Sequence, residues 1–348
     1  MPNGIVGAAP QTRHGNCMVT LRTVAQRCGV DVSTVSKVIH GREIRVADET
    51  RQRILAAAQE LNYRPNALAR SLRLRRSGAI VMALRDTSKF VYREIIDGAQ
   101  EAALRDETCL FVMKYSSGET AGASLIALVQ EGRVDGILWD DLPYEAFSQE
   151  LLDSRVPFVC LNGYSNVEAQ SVTLDDRQGF LTQANYLADL GHRRIGFVGV
   201  EPQSDVSVLC RETFRGALRD RGIEILDRHI WHCHFEGDDV EAVARELEAD
   251  DRPTAIATAS ILSAKRLCHF LSKAGIRVPQ DISLIGYHDD PDAAWNIPSL
   301  TTVRMPSREH GALAVEVLMN LIAGGTFEAR VVNAQPQIVE RESCARLG

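Results

Sequence analysis

Side chains able to donate or accept hydrogen bonds are concentrated in CGVDVSTVSKVIHG, residues 28–41. At helical spacing they form one outer face, made of Ser33, Thr34, Ser36 and Lys37. The inner face is apolar and consists of Val35, Val38 and Ile39. Such a helix could bind a partner through its polar face, or the polar residues could simply solvate a surface helix.

The charge distribution favours a polyanionic partner for this region. Residues 1–76 hold 13 Lys or Arg against 5 Asp or Glu, whereas the rest of the chain holds 26 against 41. The net charge of −7 therefore combines a head of +8 with a body of −15. A basic head on an acidic body suggests that the head meets a polyanion, and an ordinary basic helical face is the alternative.

Residues for catalysis or metal binding are sparse. Eight cysteines are scattered without a CxxC pair, which argues against a disulfide framework and a zinc ribbon. The densest set of metal-ligand types is His229, His232, Cys233 and His234, but alternate residues of a strand point to opposite faces, so one tetrahedral site is not expected. There is no P-loop, no GxGxxG after a strand, no GxSxG and no HExxH. We expect no enzyme, no cofactor and no metal.

Composition indicates an ordinary soluble protein, with 45% hydrophobic and 24% charged residues. No uninterrupted apolar run reaches the roughly 18 to 20 residues needed to span a bilayer, and the N-terminus lacks a signal-peptide pattern. We therefore expect a cytoplasmic protein, associated with the nucleoid if the head binds DNA.

The polar helix is one of three short helices predicted near the start of the chain. Thr20 can cap the first, whose buried face is Leu21, Val24, Ala25 and Cys28, and Gly29 ends it. Asp31 can cap the second. Asp48 can begin a third, with apolar positions Ile54, Leu55, Ala58 and Leu61. Residues 1–18 show no periodicity and are expected to be a disordered extension, and translation from Met18 is a hypothesis.

Beyond residue 78 the chain alternates short apolar runs with amphipathic helix patterns. The runs are 79–84, 109–113, 134–139, 157–161, 171–174, 194–200, 254–259 and 282–287, and the clearest helix patterns are 92–104, 179–191 and 261–275. Alternating strands and helices predict parallel sheets covered on both faces. The length favours two such lobes with a ligand cleft between them, at the carboxyl ends of the strands.

Several motifs, taken in order, resemble one family. TLRTVAQRCGVDVSTVSKVIHG, RPNALARSL, GHRRIGFVG, VPQDISLIGY and PSLTTVRMP are similar to segments of the lactose-repressor (LacI/GalR) family of bacterial transcription regulators. The resemblance covers about residues 19–325. It implies an all-α helix-turn-helix head at 19–64, a hinge helix at 65–77, and an α/β two-lobed, periplasmic-binding-protein-like effector domain at 78–348.

The resemblance gives the polar helix the role of a recognition helix in the major groove. It implies that bases are read by Val32, Ser33 and Lys37, and that phosphates are held by Thr20, Thr34, Ser36 and His40. Asp31 stands where the family often has Ser, and its carboxylate should weaken DNA binding slightly. In the hinge, the resemblance places Leu72 as a minor-groove wedge between Arg70 and Arg73, on a helix that forms only on DNA. The alternative for Leu72 is a core residue of a stable helix.

Effector contacts are implied at Tyr92, Asn162, Arg211, Phe235, Ser260 and His288. Three of these positions depart from the family pattern, since His288 and Asn162 each replace a usual Asp and Ser260 replaces a usual Asn. With Lys89 and Arg85 nearby, the cleft could prefer a sugar acid or sugar phosphate over a neutral sugar. Alternatively, Lys89 and Arg85 are solvated rim residues.

The implied function is a homodimeric repressor that binds a pseudo-palindromic DNA operator under control of a small molecule. A soluble small-molecule-binding protein of the same two-lobed fold is the alternative, but it would not explain the head. After Gly325 no leucine heptad is found, so no tetramerising coiled coil is expected.

Overall fold

The chain divides into two compact units, Met1–Arg76 and Ser77–Gly348. The structure, a computed structural model, describes residues 19–39, 44–63, 76–84, 90–115, 118–140, 153–161, 171–200, 205–234, 239–249 and 251–347. Several residues singled out from the sequence lie outside these ranges: His40, Arg70, Leu72, Arg73, Lys89, Arg85, Asn162 and Phe235. The N-terminal extension 1–18 also lies outside them.

In the described part of the first unit there are three helices: α1 (Leu21–Cys28), α2 (Val32–Ile39) and α3 (Asp48–Glu60). The Thr20 hydroxyl accepts the backbone N–H of Thr23, and the Thr23 side chain accepts the Thr20 N–H, so α1 begins in a capping box. Gly29 ends α1 with φ 65°, a left-handed conformation that glycine adopts without strain. These boundaries confirm the predicted helix-turn-helix.

A small apolar core holds the three helices together. Its buried members are Val24, Ala25, Cys28, Val35, Val38, Ile54 and Ala57. Burial of a Val or Ile side chain contributes about 1.5–3 kcal/mol. Leu55 was expected among the apolar positions of α3 but is 49% exposed, because Ile54 and Ala57 take the inward positions of that helix.

The second unit begins with a lobe built on a parallel sheet. Its elements are β1 (Ala79–Leu84), α4 (Phe90–Arg105), β2 (Cys109–Lys114), α5 (Gly118–Gln130), β3 (Ile137–Trp139) and β4 (Phe158–Cys160). The described strands lie in the order β2-β1-β3-β4, so β2 is at one edge. All three strand pairs are parallel, as the alternation of strands and helices predicted.

The second lobe is larger. Its elements are α6 (Asp176–Asp189), β6 (Ile195–Val200), α7 (Asp205–Asp220), β7 (Ile230–Cys233), α8 (Val240–Glu246), β8 (Ala255–Thr258), α9 (Ile261–Lys273), β9 (Ser283–Tyr287), β10 (Thr301–Arg304) and β12 (Gln337–Val339). The described strands lie in the order β12-β10-β9-β8-β6-β7, and β12 alone among them is antiparallel. The eight apolar runs all coincide with strands, counting the short β5 (Val172–Thr173), which confirms the strand prediction.

Helix α10 (Ser307–Ile322) follows β10 of the second lobe in sequence but packs on the first lobe. A Cβ added at Gly98 would lie 1.9 Å from the Arg308 carbonyl oxygen, and one at Gly311 would lie 1.9 Å from that of Ile95. The backbones of α4 and α10 therefore touch. After α10 the chain pairs β11 (Arg330–Val331) with β5 and then returns to the second lobe in β12, so it passes between the lobes more than once.

His310 is buried where these crossings meet. Its Nε2 lies 2.7 Å from the carbonyl oxygen of Val172 in β5 and bonds to it, which assigns the ring proton to Nε2. Burial lowers the pKa of His310 to about 4, so the imidazole is neutral near pH 7.

Candidate functional site

The outer face of α2 presents the side chains expected to meet a partner. Ser33 and Lys37 are exposed, Val32 is 37% exposed, and Thr34 and Ser36 are half-buried. Val35 and Val38 point inward and are buried. The helix thus separates a polar face from a core face as the spacing predicted.

Asp31 fixes the start of this helix. Its Oδ1 accepts the backbone N–H of Ser33 at 2.7 Å, which satisfies one of the donors left unpaired at a helix N-terminus. The bonds from the Ser33 side chain and backbone lower the pKa of the Asp31 carboxyl. Asp31 is therefore negatively charged beside the first base-reading candidate, Val32.

Thr20 caps α1 and is also accessible to solvent. Its hydroxyl is 3.1 Å from the Thr23 hydroxyl and belongs to the cap of α1, yet the residue is exposed. A capped threonine keeps one face of its oxygen open to solvent, which leaves it able to meet a phosphate.

In the second unit, Ser260 and His288 follow adjacent strands of the second lobe. The Ser260 hydroxyl accepts the N–H of Leu262 at 3.2 Å and caps α9, so its hydrogen-bonding capacity is largely used within the fold. His288 follows β9 with φ 64°, and burial lowers its pKa to about 4. Both lie at the carboxyl edge of the sheet, where open α/β sheets bind ligands.

Arg211 and Tyr92 come from helices rather than strand ends. Arg211, on α7, is 25% exposed and donates from Nε to Glu212 at 3.0 Å. Tyr92, on α4, is half-buried and packs against the large core cluster. Asn162 and Phe235 lie outside the described residues. Of the others, Ser260, His288 and Arg211 belong to elements of the second lobe and Tyr92 to a helix of the first.

Sequence reasoning missed Asp140, which follows β3. The residue is fully buried, and its backbone carbonyl accepts the Tyr115 hydroxyl at 2.6 Å. The first lobe therefore carries a buried carboxylate at the carboxyl edge of its sheet, although the sequence suggested a cleft poor in carboxylates. The signal was present as two acidic residues directly after a buried apolar strand.

From the sequence, His232 was weighed only as a metal ligand. It lies in β7 opposite Gly199 of β6, and its Nδ1 is buried without a hydrogen-bond partner among the described residues. The neighbouring His229 instead stacks on Trp231 with ring centroids 5.9 Å apart. Within the described ranges, no group of three or more His, Cys, Asp or Glu is arranged to hold a metal ion.

Asp289 follows His288 but is engaged by the fold. Its carboxylate accepts hydrogen bonds from Thr302 at 2.7 Å, Arg341 at 2.8 Å and Arg304 at 3.1 Å. Burial is the largest single influence on the pKa of Asp289 and raises it. The hydrogen bonds from these three residues and the charge of Arg341 together outweigh burial, so the pKa lies below its usual value. Its carboxylate therefore fastens β9 to β10 and to the segment after β12.

Among the helices that the structure describes, none is long and apolar enough to cross a membrane.

Comparison with known proteins identifies both units. Residues 20–66 match the model of bacterial regulatory proteins of the lacI family, and residues 184–344 match that of a periplasmic binding protein-like domain. A relative from Photobacterium profundum, named HTH-type transcriptional repressor PurR, is 31% identical over 336 residues, 94% of this chain and 98% of the relative. PurR of Vibrio cholerae serotype O1 (strain M66-2) is 32% identical over 335 residues, 94% of this chain and 98% of its own.

Solved structures agree over most of the chain. A transcriptional regulator CelR–cellobiose complex is 27% identical, with a TM-score of 0.70 over 93% of this chain and 99% of CelR. A lac repressor dimer bound to operator and the anti-inducer ONPF is 23% identical, with a TM-score of 0.75 over 94% of this chain and 99% of the repressor, and supports the fold. The chain belongs to the lacI family of bacterial regulatory proteins and is a DNA-binding transcriptional regulator with a domain for a small-molecule effector.

Proposed function

We propose that the protein is a repressor that binds a pseudo-palindromic operator as a homodimer. The observation that carries this proposal is α2, whose capped start and exposed outer face follow a tight glycine turn in a unit of three helices. In such a unit the second helix enters the major groove and its outward side chains reach base edges.

The individual roles follow from side-chain chemistry. Lys37 can donate to guanine O6 and N7, Ser33 can donate or accept, and Val32 can contact a thymine methyl group. We assign phosphate contacts to Thr20, Thr34, Ser36 and His40, which fix the register on the duplex without reading its sequence.

The hinge assignment rests on the sequence of residues 65–77. Leu72 would insert between base pairs of the minor groove, with Arg70 and Arg73 on its edges, and the bent duplex would gain contact with the protein. Helix formation by this segment would then depend on DNA, because so short a helix is marginal alone.

Exposed apolar residues on the second unit support self-association. Strand β2 is an edge of its sheet, and Phe111 is 57% and Val112 43% exposed on it, next to Leu104 of α4 at 64%. On the second lobe, Trp295 is 83% and Ile297 92% exposed. An apolar edge strand left bare would aggregate, and a second copy of the chain would cover it symmetrically.

The effector would bind between the lobes and change operator affinity, a coupling usually worth about 1–3 kcal/mol. We assign binding of the effector to Tyr92, Asn162, Arg211, Phe235, Ser260 and His288. To these we add Asp140, whose buried carboxylate could accept hydrogen bonds from hydroxyl groups. Its class is a sugar or an acidic or phosphorylated sugar, since a relative in the same fold is complexed with cellobiose. The site of action would be the bacterial cytoplasm, where the chromosome lies.

The test begins with selection of bound duplexes from a random pool by the full-length protein, followed by gel shifts. Lys37→Ala should lose about 1–3 kcal/mol of discrimination at one base pair, whereas His40→Ala should weaken binding to all duplexes alike. Gln59→Ala, on the exposed face of α3, is the control. Selection that returns no half-site repeat would refute the operator proposal.

A further inference from the structure

His232 presents an unsatisfied ring nitrogen within the second lobe. It pairs with Gly199 across β6 and β7, and a Cβ built at Gly199 would lie 3.0 Å from His232 Nδ1. The absence of a side chain at Gly199 thus provides the room in which the imidazole lies. Buried polar atoms normally have a partner, so this Nδ1 calls for one.

Arg211 of α7 supplies a positive charge next to this ring. Burial and, second to it, the Arg211 guanidinium lower the pKa of His232. Among the described residues, Arg211 bonds only Glu212, through Nε, which leaves both Nη atoms available. The guanidinium therefore acts electrostatically on the ring, and the Glu212 carboxylate meets one edge of the guanidinium.

Both residues are near the carboxyl edge of the second-lobe sheet. Four residues before Arg211, the hydroxyl of Ser207 donates to the carbonyl of Val200, the last residue of β6. That bond brings this side of α7 against the strand end. His232 is the penultimate residue of the adjacent β7.

We propose that His232 and Arg211 form an anion subsite, so that the effector carries a carboxylate or a phosphate group. This proposal rests on the proposed function, because it places the subsite within the effector cleft. The guanidinium binds a carboxylate or a phosphate through two N–H groups, and the imidazole donates to the anion in the tautomer that carries its proton on Nδ1. With a neutral ligand, Glu212 at Nε would be the one carboxylate matched to the guanidinium among the described residues.

The first test measures binding of inorganic phosphate to the full-length protein by calorimetry at constant ionic strength. His232→Gln and Arg211→Gln should each weaken phosphate binding about tenfold or more, as expected for loss of a charge-assisted hydrogen bond. His269→Gln, an exposed histidine on α9, is the matched control and should bind as the wild type. Equal binding by all four proteins, or no binding by the wild type, overturns the proposal.

Gly199→Ala provides a test that keeps both charged groups. The added methyl group would displace the imidazole by a few tenths of an ångström and should weaken phosphate binding while Arg211 stays in place. Retention of the wild-type melting temperature and of operator binding without effector would show that each variant is folded. Unchanged phosphate binding in folded Gly199→Ala would contradict the role of His232.

A second arm identifies the source of the anion. Glucuronate, glucose 6-phosphate and glucose share a ring and differ in the charged group, so operator release by one of the first two but not by glucose supports a carboxylate or a phosphate effector, respectively. Release by glucose alone overturns the subsite and leaves the regulator proposal intact. Failure of the protein to bind any operator would refute the regulator proposal, whereas the phosphate measurement tests the subsite without DNA.

Discussion

At the scale of single residues, Asp31 shows how one side chain can serve stability and oppose binding. Its carboxylate caps α2 through Ser33 and is held ionised by the same bonds. The negative charge lies at the start of α2, the helix proposed to enter the major groove, where repulsion from DNA phosphates is expected.

Two substitutions at Asp31 separate these effects. Asp31→Asn keeps a capping oxygen and removes the charge, so operator affinity should rise with little change in stability. Asp31→Ala should lower the free energy of unfolding of the head by about 0.5–2 kcal/mol. Chemical denaturation and gel shifts measure the two quantities, and equal operator affinity for wild type and Asp31→Asn would contradict the electrostatic part.

Single-residue roles were the hardest to predict from the sequence. The polar face of α2 was predictable because helical periodicity determines which side chains lie on the same face of the helix. The surroundings of His232 were not predictable, since its unpaired Nδ1 lies beside Gly199 of another strand, which has no side chain there. Asp140 carried a local signal, an acid after a buried strand, that the sequence reasoning overlooked.

At the scale of elements, the contact between α4 and α10 is limited by two glycines. Any side chain at Gly98 or Gly311 would overlap backbone atoms of the other helix, which cannot move aside as a flexible side chain can. The helices must separate to admit a methyl group.

Gly311→Ala should therefore lower the free energy of unfolding by more than about 1–3 kcal/mol, the usual cost of overpacking. Gly216→Ala is the matched control on α7, because nothing lies within 4 Å of its added Cβ. That change should stabilise the protein by up to about 1 kcal/mol through helix propensity. Similar melting temperatures for the two variants would show that the close approach of α4 and α10 is not required.

The strands were predictable because short apolar runs bounded by polar turns are typical of buried strands. Helix α10 was not assigned from the sequence, and its place on the first lobe could not have been. Nothing local in residues 307–322 indicates that they leave the lobe they follow; the pairing depends on Gly98 and Gly311, far apart in the chain.

At the scale of the whole molecule, buried neutral histidines should make the fold sensitive to acid. The pKa of His310 is about 4 in the folded state, against 6.5 without burial. Between these values the unfolded state binds more protons, so stability falls as the pH drops through 6.5 toward 4, by up to about 3 kcal/mol. Asp176, whose pKa burial raises to about 6, acts in the opposite direction.

His310→Gln keeps a donor for the Val172 carbonyl and removes this titration. Its free energy of unfolding should change less between pH 7 and pH 4.5 than that of the wild type, as followed by denaturant titration at each pH. Parallel pH profiles for the two proteins would exclude His310 as a source of the acid sensitivity.

The proposed self-association also belongs to the scale of the whole molecule. Phe111→Ser combined with Trp295→Ser should shift the protein toward a monomer in sedimentation and weaken operator binding, since one head would then bind without its partner. Leu226→Ser removes another exposed apolar side chain, 41% exposed, and should leave the assembly unchanged. A dimer that persists in the double variant would place the interface elsewhere.

The packing of α10 also determines whether the first lobe can fold as a separate fragment. A Cβ at Gly136 would lie 2.9 Å from the Leu318 side chain and 3.0 Å from that of Ile322, so α10 covers the approach to β3 as well as α4. A fragment ending near residue 161 would contain every described strand of the first lobe, β1 to β4, but not α10. We expect such a fragment to be recovered folded only when a peptide spanning residues 307–322 is co-expressed with it.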